Sequence, residues 1–187
     1  MFSWRQPTAA QLDALIARQQ RRDFSYSAVG ATQTVAPVGF RRDHNRFLLG
    51  RGEQAYQQAI TALRNWEQFN VGWGYAHATT TPIAVGSTVA VVFRALGVWC
   101  ANTARIVYVI EEHNRFGFAY GTLPEHVESG EERFVIEQLD DGSVYYDLSA
   151  FSRVRHPLAK LGYPYVRHLQ QQFPRASAAA LRACVTV

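Results

Sequence analysis

The sequence predicts an α+β fold: a curved antiparallel sheet of about seven strands, covered by a long C-terminal helix. Three observations carry this. Six runs between Val71 and Arg153 alternate with period two and are joined by short connections, the pattern of an antiparallel meander. After Pro157 the period becomes helical, with Tyr165, Val166, Leu169, Phe173, Ala180, Leu181 and Cys184 as an apolar stripe. A length of 187 residues, 48% hydrophobic and 18% charged, suits one domain with a single core.

In chain order, Thr8 and Gln11 form a capping box for a helix that carries Leu12, Leu15 and Ile16 to about Arg21. Residues 1–22 read as a helical extension and 23–187 as the main domain. Asp23 to Val29 alternates weakly and is expected to be the first strand, with a loop from Gly30 to Gly39. Gly50, Gly52 and Ala55 match the spacing G-x-G-x-x-A, but no parallel βαβ unit follows and no acid stands where a ribose would be held. The glycines instead turn the chain into the helix Glu53 to Phe69, beside Arg46 and Arg51. That helix places Tyr56, Ala59, Ile60, Leu63 and Trp66 on one face, where the bland role of Trp66 is core packing.

The six runs are Val71–Ala76, Thr88–Leu96, Ala104–Glu111, Arg115–Leu123, Glu132–Leu139 and Ser143–Arg153. His113-Asn114 and Asp140-Asp141-Gly142 supply turns. In Arg115–Leu123, Phe116, Phe118 and Tyr120 alternate with Gly117, Ala119 and Gly121; Val71–Ala76 has a similar bare face. Such a face leaves room for a helix or ligand against the backbone, so these glycines and alanines are expected to hollow out the inside of the sheet beneath the C-terminal helix. Between Pro124 and Glu132 the sequence reads as a long loop holding Glu125, His126, Glu128, Glu131 and Glu132. In the tail, Pro157 and Pro164 are placed to open helical segments, and Pro174 is expected to kink or split the helix.

Composition limits the function classes. No apolar leader is visible at the N-terminus, and the most apolar run, Ile83 to Cys100, is broken by Ser87, Thr88 and Arg94, which argues against a membrane span. Two cysteines, Cys100 and Cys184, fit thiols of a reducing compartment, so a cytoplasmic location is expected. The net charge of +4 is unevenly spread: residues 148–187 hold six basic residues and no acid, while 111–147 hold ten acids and two Arg. Nucleic-acid binding is the rival class, but the basic residues are dispersed and no recognised motif accompanies them. The acids and His126 offer metal-type ligands without any standard spacing, so no metal and no cofactor is assigned.

The segment FGFAYGTLPEHVESGEERF, Phe116 to Phe134, with HNRFLLGRGEQAY and Trp66 upstream, resembles an uncharacterised family of bacterial and plant proteins, domain of unknown function 1990. The family pattern matches Phe116, Gly117, Phe118, Tyr120 to Leu123, His126, Glu128, Gly130 to Glu132 and Phe134; Ser152-Arg153 and Gln170 look like its closing segment. Glu125 and Val127 depart from it, standing where Gly and Pro are expected. The family is similar to START-like and pollen-allergen proteins, which implies a helix-grip fold enclosing an apolar ligand between sheet and C-terminal helix. By fold analogy, hydrolase, cyclase or lyase chemistry using His126 and Glu128 is the alternative. The expected ligand site comprises Trp66, Trp73 and Tyr120 as wall, with Thr122, His126 and Glu128 at a polar end and Arg46 and Arg153 nearby. Arg153 is expected either to pair with Glu128, Glu131 or Glu132 or to face the ligand.

Overall fold

A computed structural model describes residues 1–77, 81–155 and 163–186. Its strands are β1 (Phe2–Ser3), β2 (Arg41–Arg51), β3 (Gly74–His77), β4 (Thr88–Ala95), β5 (Val98–Glu112), β6 (Arg115–Thr122), β7 (Glu128–Gln138) and β8 (Ser143–Val154). Its helices are α1 (Ala9–Gln19), α2 (Gly52–Arg64) and α3 (Tyr163–Ala183). The strands form one antiparallel sheet in the order β2-β8-β7-β6-β5-β4-β3, with β1 pairing β5. The sheet curls around α2 and α3, so the predicted fold class holds.

The two-fold alternation of each strand sorts its residues between two faces. Phe116, Phe118 and Tyr120 of β6, Phe134 and Ile136 of β7, and Tyr146 and Leu148 of β8 point to the concave face and form the main core. Tyr56, Ala59 and Leu63 of α2 pack onto them. Beyond α2, Trp66 (φ +62°) turns the chain into a 3-10 turn, Glu67–Phe69. Phe69 then stacks between Tyr120 and Phe173 of α3, at 6.0 and 5.6 Å between ring centroids.

Four expectations are corrected. Residues 23–29 are not a strand; they run across the convex face, with Ser25 N–H donating to the Thr122 carbonyl at 2.9 Å. The missing strand is β2, which pairs along its length with β8. Its solvent-facing Arg42, His44 and Arg46 masked the inward series Asp43, Asn45, Phe47, Leu49. Second, β7 begins at Glu128, so the acidic loop shrinks to residues 123–127. Third, the bare face of β6 lies on the convex side, not in the interior: a Cβ on Gly121 would sit 2.2 Å from the Tyr26 hydroxyl, so glycine is what lets residues 24–26 lie against the sheet. Fourth, α3 is not split at Pro174: one helix runs from Tyr163 to Ala183 with the proline inside it. The expected helix start at Pro157 falls outside the described residues.

Helix α1 carries the predicted capping box and seats Leu12 and Leu15 on Ala90, Val92 and Ala101 of the convex face. Arg105 closes its C-terminus, donating to the carbonyls of Gln20 (2.9 Å) and Arg22 (2.5 Å). Arg18 holds Glu125 through two hydrogen bonds, at 2.8 and 2.9 Å, which ties α1 to the β6–β7 loop.

Candidate functional site

Along the concave face, the strands are apolar at one end and polar at the other. Register places Tyr120 opposite Glu132, Glu132 opposite Ala150, and Ala150 opposite Asp43, a row running from β6 across β7 and β8 to β2. The next row holds Thr122, Gly130 and Ser152. These short side chains leave space that α2 does not reach. The first half of α3 covers it, and a cavity of about 430 Å³ lies between them. Trp73, Phe93, Leu148, Leu169 and Phe173 make its apolar wall. Tyr120, His126, Glu128, Glu132, Asp43 and Gln170 make its polar end.

Each polar group is held. The Tyr120 hydroxyl donates to Glu132 Oε2 at 2.8 Å. Gln170 Nε2 donates to Glu128 Oε1 at 2.5 Å. Arg167 grips Asp43 with both terminal nitrogens, each at 2.7 Å, and also donates to Gln170 Oε1 at 3.2 Å. The imidazole of His126 accepts the Glu128 backbone N–H at Nδ1, 3.0 Å away; this hydrogen bond assigns the ring proton to Nε2.

Enclosure decides the charge states. Burial pushes the Glu132 carboxyl up to about 8, with Glu128 and Asp43 adding repulsion and the Tyr120 hydrogen bond opposing. Burial likewise raises Glu128, against the hydrogen bonds from Gln170 and Ser152. His126 is driven down to about 3, first by burial and then by the positive N-terminus. Burial also lifts the Tyr120 phenol well above its ordinary range, with the neighbouring Glu132 next in effect. At neutral pH Glu132, His126 and Tyr120 are therefore neutral donors and acceptors, beside the Arg167–Asp43 ion pair.

Of the residues expected from sequence, Trp73, Tyr120, Thr122, His126 and Glu128 line the cavity. The Thr122 hydroxyl is taken up by Ser25 at 2.5 Å and by both backbone groups of Gly130. Trp66 is not a wall residue: it is 3% exposed within the core, and its indole N–H donates to the Thr81 carbonyl at 3.1 Å. Strand alternation turns Arg46 and Arg153 onto the convex face. Arg46 pairs there with Glu137 at 2.6 Å, and Arg153 lies 4.6 Å over the Phe40 ring rather than against an acid. Glu131 also faces outward, where Tyr26, Gly30 and Thr32 donate to it. The acids thus split between two faces, and among the described residues no three His, Cys, Asp or Glu side chains converge as metal ligands.

Sequence reading passed over Asp43, Glu132 and Arg167 as site residues. The alternation Asp43, Asn45, Phe47, Leu49 was the available signal for the first. Glu132 was counted among the loop acids, and only its place in a strand singles it out. Nothing local marks Arg167, because its partner is 124 residues away.

Comparison with known proteins gives a consistent result. Residues 25–180 match the model of a family described as domain of unknown function (DUF1990). A UPF0548 protein of Dictyostelium discoideum is 35% identical over 195 residues, covering 92% of this chain and 90% of that one. A hypothetical protein of Helicobacter pylori is similar in fold, with a TM-score of 0.60 at 14% identity over 88% of this chain and 99% of that one. A START superfamily protein of Mycobacterium smegmatis has a TM-score of 0.54 at 15% identity, covering 79% and 97% of the two chains. At these identities the two structures speak for the fold alone.

Proposed function

This chain belongs to the DUF1990 family and has the START-like helix-grip fold, and from that premise we propose that it binds a small, largely apolar molecule between α3 and the concave sheet. The cavity of about 430 Å³ is the observation that carries the reading. It is large enough for a small organic ligand, mostly apolar in its walls, and polar at one end, as such sites are. The apolar body lies along Trp73, Phe93 and Phe173, and the polar group meets Glu128, Glu132 and His126.

The test combines native mass spectrometry of the purified full chain with titration of a neutral fluorescent probe, N-phenyl-1-naphthylamine. A co-purified mass or saturable probe binding is expected, and the variant Ala150→Phe, which fills the cavity floor, is expected to abolish either. A wild-type protein that carries no compound and takes up no probe overturns the reading.

One observation favours acid–base chemistry as a second reading. Glu132, pushed up to about 8 beside the Tyr120 hydroxyl, has the proton affinity of a general acid working near neutrality. His126 stays neutral down to about 3 and would orient a substrate by donating from Nε2. The acid is then Glu132, not His126 or Glu128. On this reading Glu132→Gln would retain a compound chemically different from that recovered with the wild type; the same compound from both would leave binding as the function.

A further inference from the structure

We propose that the molecule held in this cavity carries a basic nitrogen, a protonated amine on an apolar body, and that Glu132 and Glu128 meet its charge. This rests on the ligand-binding reading and names the chemical class of that ligand.

The argument is one of charge balance at the polar end. The sheet contributes three carboxyl groups to the cavity: Asp43 from β2, and Glu128 and Glu132 from β7. The groups facing them are Tyr120 of β6, Ser152 of β8, Arg167 and Gln170 of α3, and His126 of the β6–β7 loop; Tyr146 of β8 lies further in. Arg167 has both terminal nitrogens on Asp43, which accounts for one of the three acids. Glu132 and Glu128 take hydrogen bonds from neutral groups, Tyr120 and Gln170; among the described residues no ion pair reaches either, and the Arg167 charge favours ionised Glu128 only weakly, behind burial and the hydrogen bonds. Without a cation, enclosure raises the proton affinity of both carboxyls and pushes that of Glu132 up to about 8, so Glu132 holds its proton at neutral pH.

A ligand of each charge type then meets a different site. A carboxylate or phosphate would enter beside three acids, and the terminal nitrogens of Arg167 are already on Asp43. An alcohol or ketone finds hydrogen bonds, such as the Nε2–H of His126, but offers no charge to either carboxyl and leaves Glu132 protonated. An ammonium group replaces the proton of Glu132 and converts a neutral acid into an ion pair, inside an enclosure where such a pair is stronger than in water. The step balances: the ligand nitrogen keeps its proton, and the proton of Glu132 passes to solvent. Affinity for an amine should therefore rise with pH until Glu132 ionises in the free protein, near pH 8.

Three probes of equal chain length test this on the full chain: decylamine, decanol and decanoate, each displacing N-phenyl-1-naphthylamine. Decylamine is expected to displace it about tenfold better than decanol, the gap between a charge-assisted and a neutral hydrogen bond, with decanoate weakest. Its affinity is expected to rise by about tenfold per pH unit between pH 6 and 8. Glu132→Gln is expected to bring amine and alcohol to parity while keeping a cooperative thermal melt; Glu128→Gln, measured alongside, is expected to narrow the gap. Decanoate matching or exceeding decylamine overturns the inference. So does an amine preference that both variants retain. Either outcome leaves the cavity reading standing. Absence of probe binding to the wild type removes that reading, and the amine inference with it.

Discussion

Glu131 and Glu132 are adjacent in the chain and sit on opposite faces of the sheet, which gives them different work. Glu131 is 2% exposed and accepts from the Tyr26 hydroxyl at 2.6 Å, from the amides of Gly30 at 2.7 Å and Thr32 at 2.9 Å, and from the Thr32 hydroxyl. It holds the segment from residue 24 to residue 34 against the convex face. Glu131→Ala leaves buried donors without an acceptor, and is expected to lower unfolding free energy by about 3 kcal/mol in urea titration. The same segment should then become the first site of proteolytic cleavage. Arg153 offers the contrast. Exposed and stacked on Phe40, it contributes a surface cation–π contact, so Arg153→Ala is expected to cost under about 1 kcal/mol by the same assay. The sequence pointed to an Arg153–acid pair, whose loss would be more costly; alternation along β8 sends the guanidinium to the other face.

At the scale of elements, α3 has two differently anchored halves. Ala178 and Leu181 fix the C-terminal part in the core, with Val185 just beyond the helix end, and Ser177 hydrogen-bonds Tyr146 at 2.9 Å. The N-terminal part, which roofs the cavity, is held by the Arg167–Asp43 pair and by Gln170 on Glu128. Pro174 sits between them and frees the Gln170 carbonyl from its in-helix partner. Asp43→Asn should loosen the roof alone: faster hydrogen exchange is expected before Pro174, with protection after it unchanged. Equal acceleration in both halves would mean that the helix moves as one body. Much of this architecture was legible in the sequence because period-two and period-3.6 patterns survive wherever one face is buried. The capping box at Thr8, the stripe of α2 and strands β4 to β8 are of this kind. Two things were not legible. Edge strand β2 carries charge at the outward positions Arg42, His44 and Arg46 and polar groups, Asp43 and Asn45, at the first two inward ones, so only Phe47 and Leu49 signal its buried face. A bare face such as Gly117–Gly121 needs a neighbour, which suggests the interior; the sequence does not say that the neighbour at Gly121 is the chain's own Phe24 and Tyr26. Small residues do open the cavity, but they are Gly130, Ala150 and Ser152 on β7 and β8.

Taken over the whole molecule, the buried titratable groups set opposing limits on stability. His126 is held near 3 in the folded chain and returns to its ordinary value, about 6.5, on unfolding. The unfolded state therefore binds more protons between those values, and stability falls as pH drops from about 6.5 toward 3. Glu132 has the reverse sign. Its folded value of about 8 lies above the unfolded one, so between about 4.5 and 8 the folded state retains a proton that the unfolded state has lost. Stability then declines as pH rises through that window and levels off above it. Each isolated limb has a slope of about 1.4 kcal/mol per pH unit. Where the windows overlap, from about 4.5 to 6.5, the two slopes cancel, leaving a plateau in mildly acidic solution with a decline on either side. Urea unfolding across pH 3 to 9 measures the curve. Glu132→Gln should flatten the alkaline limb and raise the melting temperature near pH 8, and His126→Asn should flatten the acid limb. Because an amine in the cavity draws the proton from Glu132, saturating decylamine should also remove the alkaline decline from the wild-type curve, while leaving the His126 limb in place. A decline that persists under saturating amine would mean that the bound nitrogen and Glu132 do not share a site.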